Sequence, residues 1–194
     1  HNTLGENMMK AVSNGMSDVD CALLVVEAAT KFKFDKDNLP PAEMELINME
    51  NRVNRLKMQL LSVKNDYDYI LIDCPPALGS LTINALVAAD SIIVPMLAEF
   101  YALEGLSQLV NTIKIVKSNH NPSLDIEGIL FTMFDGRLNV ANDVVAEVEK
   151  YFPNKVFQTK IPRNVRISEA PSHGKPVMYY DKTSKGTNAF TLLG

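Results

Sequence analysis

An α/β fold, built on a mostly parallel sheet with helices on both faces, is what this sequence predicts. Two observations carry the expectation. From Tyr67 onward, short apolar runs alternate with longer amphipathic ones. The short runs are nearly continuous in apolar residues, as strands buried on both faces require. Bulk composition agrees. The 194 residues are 46% hydrophobic and 22% charged, enough for one domain with a proper core.

The elements follow in order. Tyr69–Ile72 reads as a buried strand, and Leu81–Ala89 as a short helix starting near Ser80. Ser91–Pro95 reads as a second strand, stopped by its proline. Ala102–Lys117 places Leu103, Leu106, Leu109, Val110, Ile113 and Val116 at helical spacing. Ile126–Met133 is a third strand. Val140–Tyr151 is helical, with Val144, Val145, Val148 and Tyr151 on one face. Lys155–Phe157 is a short strand, and Gly186–Leu193 begins a final helix. Ahead of these, Ala42–Lys64 carries a helical stripe of Leu46, Met49, Val53, Leu56, Leu60 and Val63, read as core packing.

The first 35 residues differ in character. Leu4–Met16 reads as a helix and Cys21–Ala28 as a strand. Lys31–Pro41 is polar, charged and proline-ended, like a linker or junction. The division expected is an atypical segment at 1–39 and the main domain at 40–194. The chain starts at His1 rather than Met, and reads as a fragment. It carries no signal-peptide pattern and no apolar stretch near the ~20 residues of a membrane span. Cys21 and Cys74 lack metal-ligand spacing and read as buried free thiols in a reducing cytosol.

Net charge is −4, which argues against a wholly basic nucleic-acid binder. Its distribution is uneven. Arg137–Lys185 holds nine Lys/Arg and five Asp/Glu, a local +4, so the remainder carries −8. That permits a basic face on an acidic protein, or an ordinary solvated surface.

The run Tyr67-Asp-Tyr-Ile-Leu-Ile-Asp-Cys-Pro-Pro-Ala-Leu-Gly79 is the most informative. An apolar strand ends on Asp73, and a proline-fixed turn follows. Ligands of parallel sheets bind beyond the strands' carboxyl ends, where Asp73, Glu99 and Asp135 all belong. An Asp there holds a magnesium-bound water beside nucleotide phosphates, or caps the next turn; spacing alone leaves both open. Pro75, Pro76 and Gly79 make either a rigid γ-phosphate reporter or a stiff loop. Thr132-Met-Phe-Asp135 ends a strand just before Arg137. The loop Ile161-Pro-Arg-Asn-Val-Arg166 brackets an asparagine with arginines. These side chains suit a base pocket, or polyanion contacts at Arg137 and Arg166, or plain surface charge. Ser168, His173 and Asp181 do not make a hydrolase triad, because no nucleophile elbow accompanies them. No zinc site is supported.

At these residues the chain closely resembles the ParA/Soj chromosome- and plasmid-partition ATPases, P-loop proteins related to MinD. The matching stretches are Ala42–Arg52, Tyr67–Pro76, Leu81–Leu86, Glu99–Leu109, Leu130–Asp135 and Ile161–Pro176. The resemblance implies a P-loop NTPase-like fold binding ATP and Mg²⁺. It implies a Walker B role for Asp73, near magnesium, and a switch II role for Cys74, Pro75 and Pro76. Thr132, Met133, Pro162, Arg163 and Asn164 match positions lining the adenine pocket. Arg137 and Arg166 match residues that bind DNA nonspecifically in an ATP-dependent homodimer. A ParB/Spo0J-type partner stimulates hydrolysis in this family, and Glu99–Gln108 is expected at the dimer or partner interface. The implied location is cytoplasmic and nucleoid-associated, without membrane attachment. Two rival readings are a non-catalytic DNA- or partner-binding remnant and a MinD-like membrane-cycling ATPase.

One part of the family pattern is missing from the sequence. No Gly-x-x-x-x-Gly-Lys-Ser/Thr loop occurs, so most phosphate-binding donors are lacking and hydrolysis is expected to be impaired. The chain thus reads as an N-terminally incomplete ATPase domain. Residues 2–12 and 16–27 resemble instead a segment of Era-type GTPases. We hypothesise a fusion or assembly junction near Lys31–Pro41. Sequencing the genomic DNA across it is expected to find a discontinuity; a single uninterrupted partition-ATPase frame upstream would refute the idea.

Overall fold

The computed structural model describes residues 21–26, 51–74 and 78–194. Four strands, β1 (Cys21–Val26), β2 (Tyr69–Cys74), β3 (Ser91–Leu97) and β4 (Asp125–Thr132), form one sheet in the order β2-β1-β3-β4. Every pairing is parallel. Parallel neighbours need crossover connections, and here helices supply them. The helices are α1 (Arg55–Leu60), α2 (Ser80–Ala88), α3 (Phe100–Asn119), α4 (Asn139–Tyr151), α5 (Val165–Glu169), α6 (Val177–Tyr180) and α7 (Lys185–Leu193).

Alternation along β3 and β4 shows that both sheet faces are covered. Ile92, Val94 and Met96 join Ile129 and Phe131 in the main core, with Leu86 of α2, Leu106, Leu109, Ile113 and Val116 of α3, and Val144 and Val148 of α4. The opposite face is smaller. There Leu130 meets Ile161 and Ala189 of α7, flanked by Ile93, Phe157, Ile167 and Phe190. Successive strand residues point to opposite faces, so the two-sided apolar runs seen in the sequence follow directly.

Several local expectations change. Pro95 does not stop β3, which runs on to Leu97. The β1–β3 pairing ends at Val25 opposite Ile93. Among the described residues β3 pairs beyond that level with β4 alone, and a residue without N–H is tolerated where one side of a strand is unpaired. The expected strand at Lys155–Phe157 reduces to a single parallel bridge between Ile129 and Val156. Tyr151 is 66% exposed rather than part of the α4 core face. Within the expected helix of residues 42–64, the described α-helix spans Arg55–Leu60, followed by a 3₁₀ turn at Lys64–Asp66. Leu46, Met49 and the expected helix Leu4–Met16 lie outside the described residues. Among the described residues, no helix is long and apolar enough to cross a membrane.

One buried polar side chain ties the sheet's entry edge together. Asn121 is 3% exposed. Its Nδ2 donates to the carbonyls of Leu86 (3.1 Å) and Ala89 (2.7 Å), and its Oδ1 accepts from Ser123 (2.9 Å). It thereby satisfies carbonyls at the end of α2 from the loop that leads into β4. Asn121→Ala strands those acceptors. We expect a loss of about 2 kcal/mol in urea unfolding, with the dependence on urea concentration unchanged.

Candidate functional site

The strand order reverses its sense of winding at β1. From β1 the chain moves to β2 on one side, then crosses to β3 on the other. In such sheets the crevice beyond the carboxyl ends at that reversal is where ligands bind. Asp73 stands beside it, next to the last residue of the edge strand β2 and opposite Val25 of β1. It is solvent-exposed. Cys74 follows, half-buried, and Pro75 and Pro76 lie outside the described residues.

The second group of predicted residues assembles at the end of β4. Thr132 closes the strand, and its Oγ1 donates to the Met96 carbonyl of β3 at 3.5 Å. Met133 then adopts φ 47°, a left-handed conformation, and is half exposed. For a residue with a Cβ this costs about 1–2 kcal/mol, and such conformations cluster at ligand sites. Beyond it, the chain is zipped to the segment 161–163. The Ile161 N–H donates to the Phe131 carbonyl (2.9 Å), the Phe134 N–H to the Ile161 carbonyl (2.9 Å), and the Arg163 N–H to the Phe134 carbonyl (3.4 Å). Pro162 sits in a parallel bridge with Phe134. Thr132, Met133, Pro162, Arg163 and Asn164 therefore share one corner of the sheet edge.

Each of the two segments ends in the same turn. Asp135 Oδ1 accepts the backbone N–H of Arg137 at 3.1 Å. Asn164 Oδ1 accepts the backbone N–H of Arg166 at 2.8 Å and so caps α5. Aspartate and asparagine are suited to this because their side chains reach the amide two residues on. Gly186 of α7 presses against Ile167 near Asn164, leaving no room for a Cβ. The capped asparagine retains its Nδ2 as a donor.

The arginines do not stand free. Arg137 forms a fork with Asp135, Nε to Oδ1 at 2.8 Å and the second nitrogen to Oδ2 at 2.6 Å. This pair, with the Arg137 backbone N–H, holds the Asp135 carboxyl down at about 2. A depressed carboxylate pKa means that the pair is intact at neutral pH and is lost as pH falls toward 2. Arg166 meets Glu169 at 2.8 Å and Asp181 at 3.3 Å. Sequence reading missed Glu169 and Asp181. The Arg166–Glu169 spacing of three on a helix was a usable signal; Asp181 had none, because the turn after α6 brings it in.

Other sequence candidates separate. Glu99 takes the position ahead of α3 without a side-chain cap bond. His173 stacks on Tyr180 (centroids 4.8 Å apart) and Asp181 binds Thr183, so no triad forms with Ser168. Across the sheet, Asp73 is level with Ile93 through Val25, whereas Thr132 is level with Leu97. Thr132 thus lies about 13 Å further along the strand direction, and three strand spacings, about 14 Å, to the side. The carboxylate and the β4 corner suit opposite ends of an elongated ligand rather than one compact group.

Burial, reinforced by the Asp73 carboxylate, pushes the Cys74 thiol up to about 11. The thiol is therefore protonated at pH 8, with about a hundredfold less thiolate than an ordinary cysteine. Iodoacetamide labelling of the Cys74 peptide, followed by mass spectrometry, should be slow at pH 8 and still climbing above pH 10. A rate that levels off below pH 9 would contradict this.

Comparison with known proteins places this geometry. A family described as an AAA domain matches residues 6–126. The chromosome partitioning protein ParA of Myxococcus xanthus is 55% identical over 157 residues, covering 81% of this chain and 56% of the relative. The sporulation initiation inhibitor protein Soj of Bacillus subtilis is 56% identical over 155 residues, covering 80% and 61%. The chain thus spans little more than half the length of these relatives. Among solved structures, cobyrinic acid a,c-diamide synthase from Mycobacterium smegmatis, with bound ATP analog and magnesium, aligns with a TM-score of 0.60 and 27% identity, covering 84% of this chain and 80% of that one. The fold is that of the P-loop NTPases, and the chain belongs to the ParA/Soj family of chromosome-partitioning proteins.

Proposed function

We propose that this chain carries the base-binding and DNA-binding part of a ParA/Soj-type partition ATPase. The observation that carries the reading is the zipped corner at the end of β4. It gathers Thr132, Met133, Pro162, Arg163 and Asn164 at the edge where parallel sheets bind ligands. These residue types suit an adenine: apolar side chains at Met133 and Pro162 to lie against the ring, and an amide at Asn164 to meet its edge. Exposed Asp73, beside the crevice, fits a magnesium-bound water. Magnesium, when bound, would neutralise phosphate charge. The phosphate end is different. The sequence holds no glycine-rich loop with its lysine, so the backbone cradle that positions the terminal phosphate is lacking.

In this reading, adenine-nucleotide occupancy governs dimerisation and nonspecific DNA binding through Arg137 and Arg166, and a ParB/Spo0J-type partner ends the cycle. The setting is the cytoplasm, on the nucleoid. The 194-residue chain by itself binds adenine nucleotides weakly and does not turn them over. A second reading, a nucleotide-independent DNA-binding unit, draws on Arg137, whose side chain is 89% exposed. DNA retention without nucleotide separates the two.

The direct test is calorimetric titration with ADP and GDP, together with radiolabelled phosphate release from ATP. We expect ADP to bind more tightly than GDP, Asn164→Ala to weaken ADP at least about fivefold as for one lost hydrogen bond, and phosphate release to stay at background. Equal binding of the two nucleotides would refute the base-side assignment. Phosphate release clearly above background would refute the loss of turnover.

A further inference from the structure

We propose that Asp135, Glu169 and Asp181 form a carboxylate brake on polyanion binding, holding the guanidinium groups that would otherwise meet nucleic-acid phosphates. The proposal rests on the DNA-binding reading of Arg137 and Arg166 given above and specifies how that surface is regulated. Arg137 presents its fork to Asp135, with two nitrogens on two oxygens. This is the geometry with which arginine grips a phosphate. The phosphate-binding edge of Arg137 is thus already occupied, although its side chain is 89% exposed.

Arg166 is held from two elements. Glu169, one turn along α5, takes its terminal nitrogen at 2.8 Å. Asp181, just after α6, faces its Nε at 3.3 Å. Neither carboxylate is loose. The Tyr180 hydroxyl donates to Glu169 Oε2 at 3.2 Å, and Tyr180 is itself stacked on His173. Asp181 accepts from the backbone N–H and the hydroxyl of Thr183 at 3.0 and 2.9 Å. The charges are therefore fixed in place before any ligand arrives. Counted over the ion pairs alone, Asp135 with Arg137 sums to zero, and Glu169 and Asp181 with Arg166 sum to minus one; Arg163 adds a positive charge that also acts on Asp135. A phosphate backbone therefore meets each of these guanidiniums already matched by its own carboxylate partners.

The consequence is binding that is weak, salt-sensitive and quickly reversed, in a segment whose overall excess of +4 would otherwise hold DNA firmly. Exchange leaves carboxylates behind near the phosphates, so affinity is set by them as much as by the arginines.

The experiment is fluorescence anisotropy of the 194-residue chain with a labelled mixed-sequence DNA duplex, across a salt series. Asp135→Asn keeps the turn acceptor and removes the charge. Glu169→Gln keeps an acceptor for Tyr180. Asp181→Asn keeps one for Thr183. Each should tighten DNA binding about two- to fivefold, the range set by an exposed ion pair. The gain of Glu169→Gln and Asp181→Asn should vanish in an Arg166→Ala background, and that of Asp135→Asn in an Arg137→Ala background. A gain that persists without the arginine reflects overall charge and overturns the brake. Unchanged or weaker binding by all three variants, with Arg166→Ala and Arg137→Ala still impaired, also overturns it while leaving the DNA reading intact. Undiminished binding by both arginine variants removes the DNA reading and the brake together. Because the carboxylates are contributed by three separate segments, misfolding of one variant leaves the other two to decide.

Discussion

The backbone hydrogen bonds between β4 and the segment from Lys155 to Arg163 are what the rest of this site depends on. They begin where Ile129 exchanges bonds with Lys155 and Phe157, and continue through Ile161 to Phe134 and Arg163. Because they are main-chain bonds, they place Pro162, Arg163 and Asn164 against Thr132 and Met133 whatever the side chains are. The ring of Phe157 lies over Gly128 so closely that any side chain there would displace it. Register on this side is therefore locked by packing as well as by hydrogen bonding. From that fixed corner, two Asx-type turns project Arg137 and Arg166.

Much of this was legible in the sequence. Near-continuous apolar runs and 3.6-residue periodicity marked the strands and helices from Tyr69 onward, because the strands bury both faces and the helices one. Thr132, Met133, Pro162, Arg163 and Asn164 were singled out by resemblance, and the structure brings them together. What the sequence did not disclose depends on tertiary context. Pro95 sits inside β3 because pairing with β4 carries the strand on to Leu97, a fact about another strand. Val156 makes one bridge rather than a strand because the chain leaves β4 after it and returns only at Ile161. Asp181 reaches Arg166 across a turn, without any periodic signal. Pro75 and Pro76 lie outside the described residues, so the switch reading remains a sequence expectation.

The two halves of the site differ in how they are built. The β4 corner rests on regular backbone pairing and on a main core filled from α2, α3 and α4. Across the sheet, β1 lies between β2 and β3. In this fold class the loop after such a strand carries the phosphate contacts. Here the sequence after Val26 reads Glu27-Ala-Ala-Thr-Lys31, without glycine. That sequence lacks the glycines and the Gly-Lys-Ser/Thr of a phosphate loop.

Pro95 has a wider consequence. The stretch of β3 past Ile93 has an edge that nothing pairs among the described residues. An apolar strand with an open edge recruits other strands, from a neighbouring copy or from a nascent chain. Proline removes one of the donors that such recruitment needs. The residue that breaks the simple reading of β3 thus also withholds a backbone donor from any strand that would add to that edge.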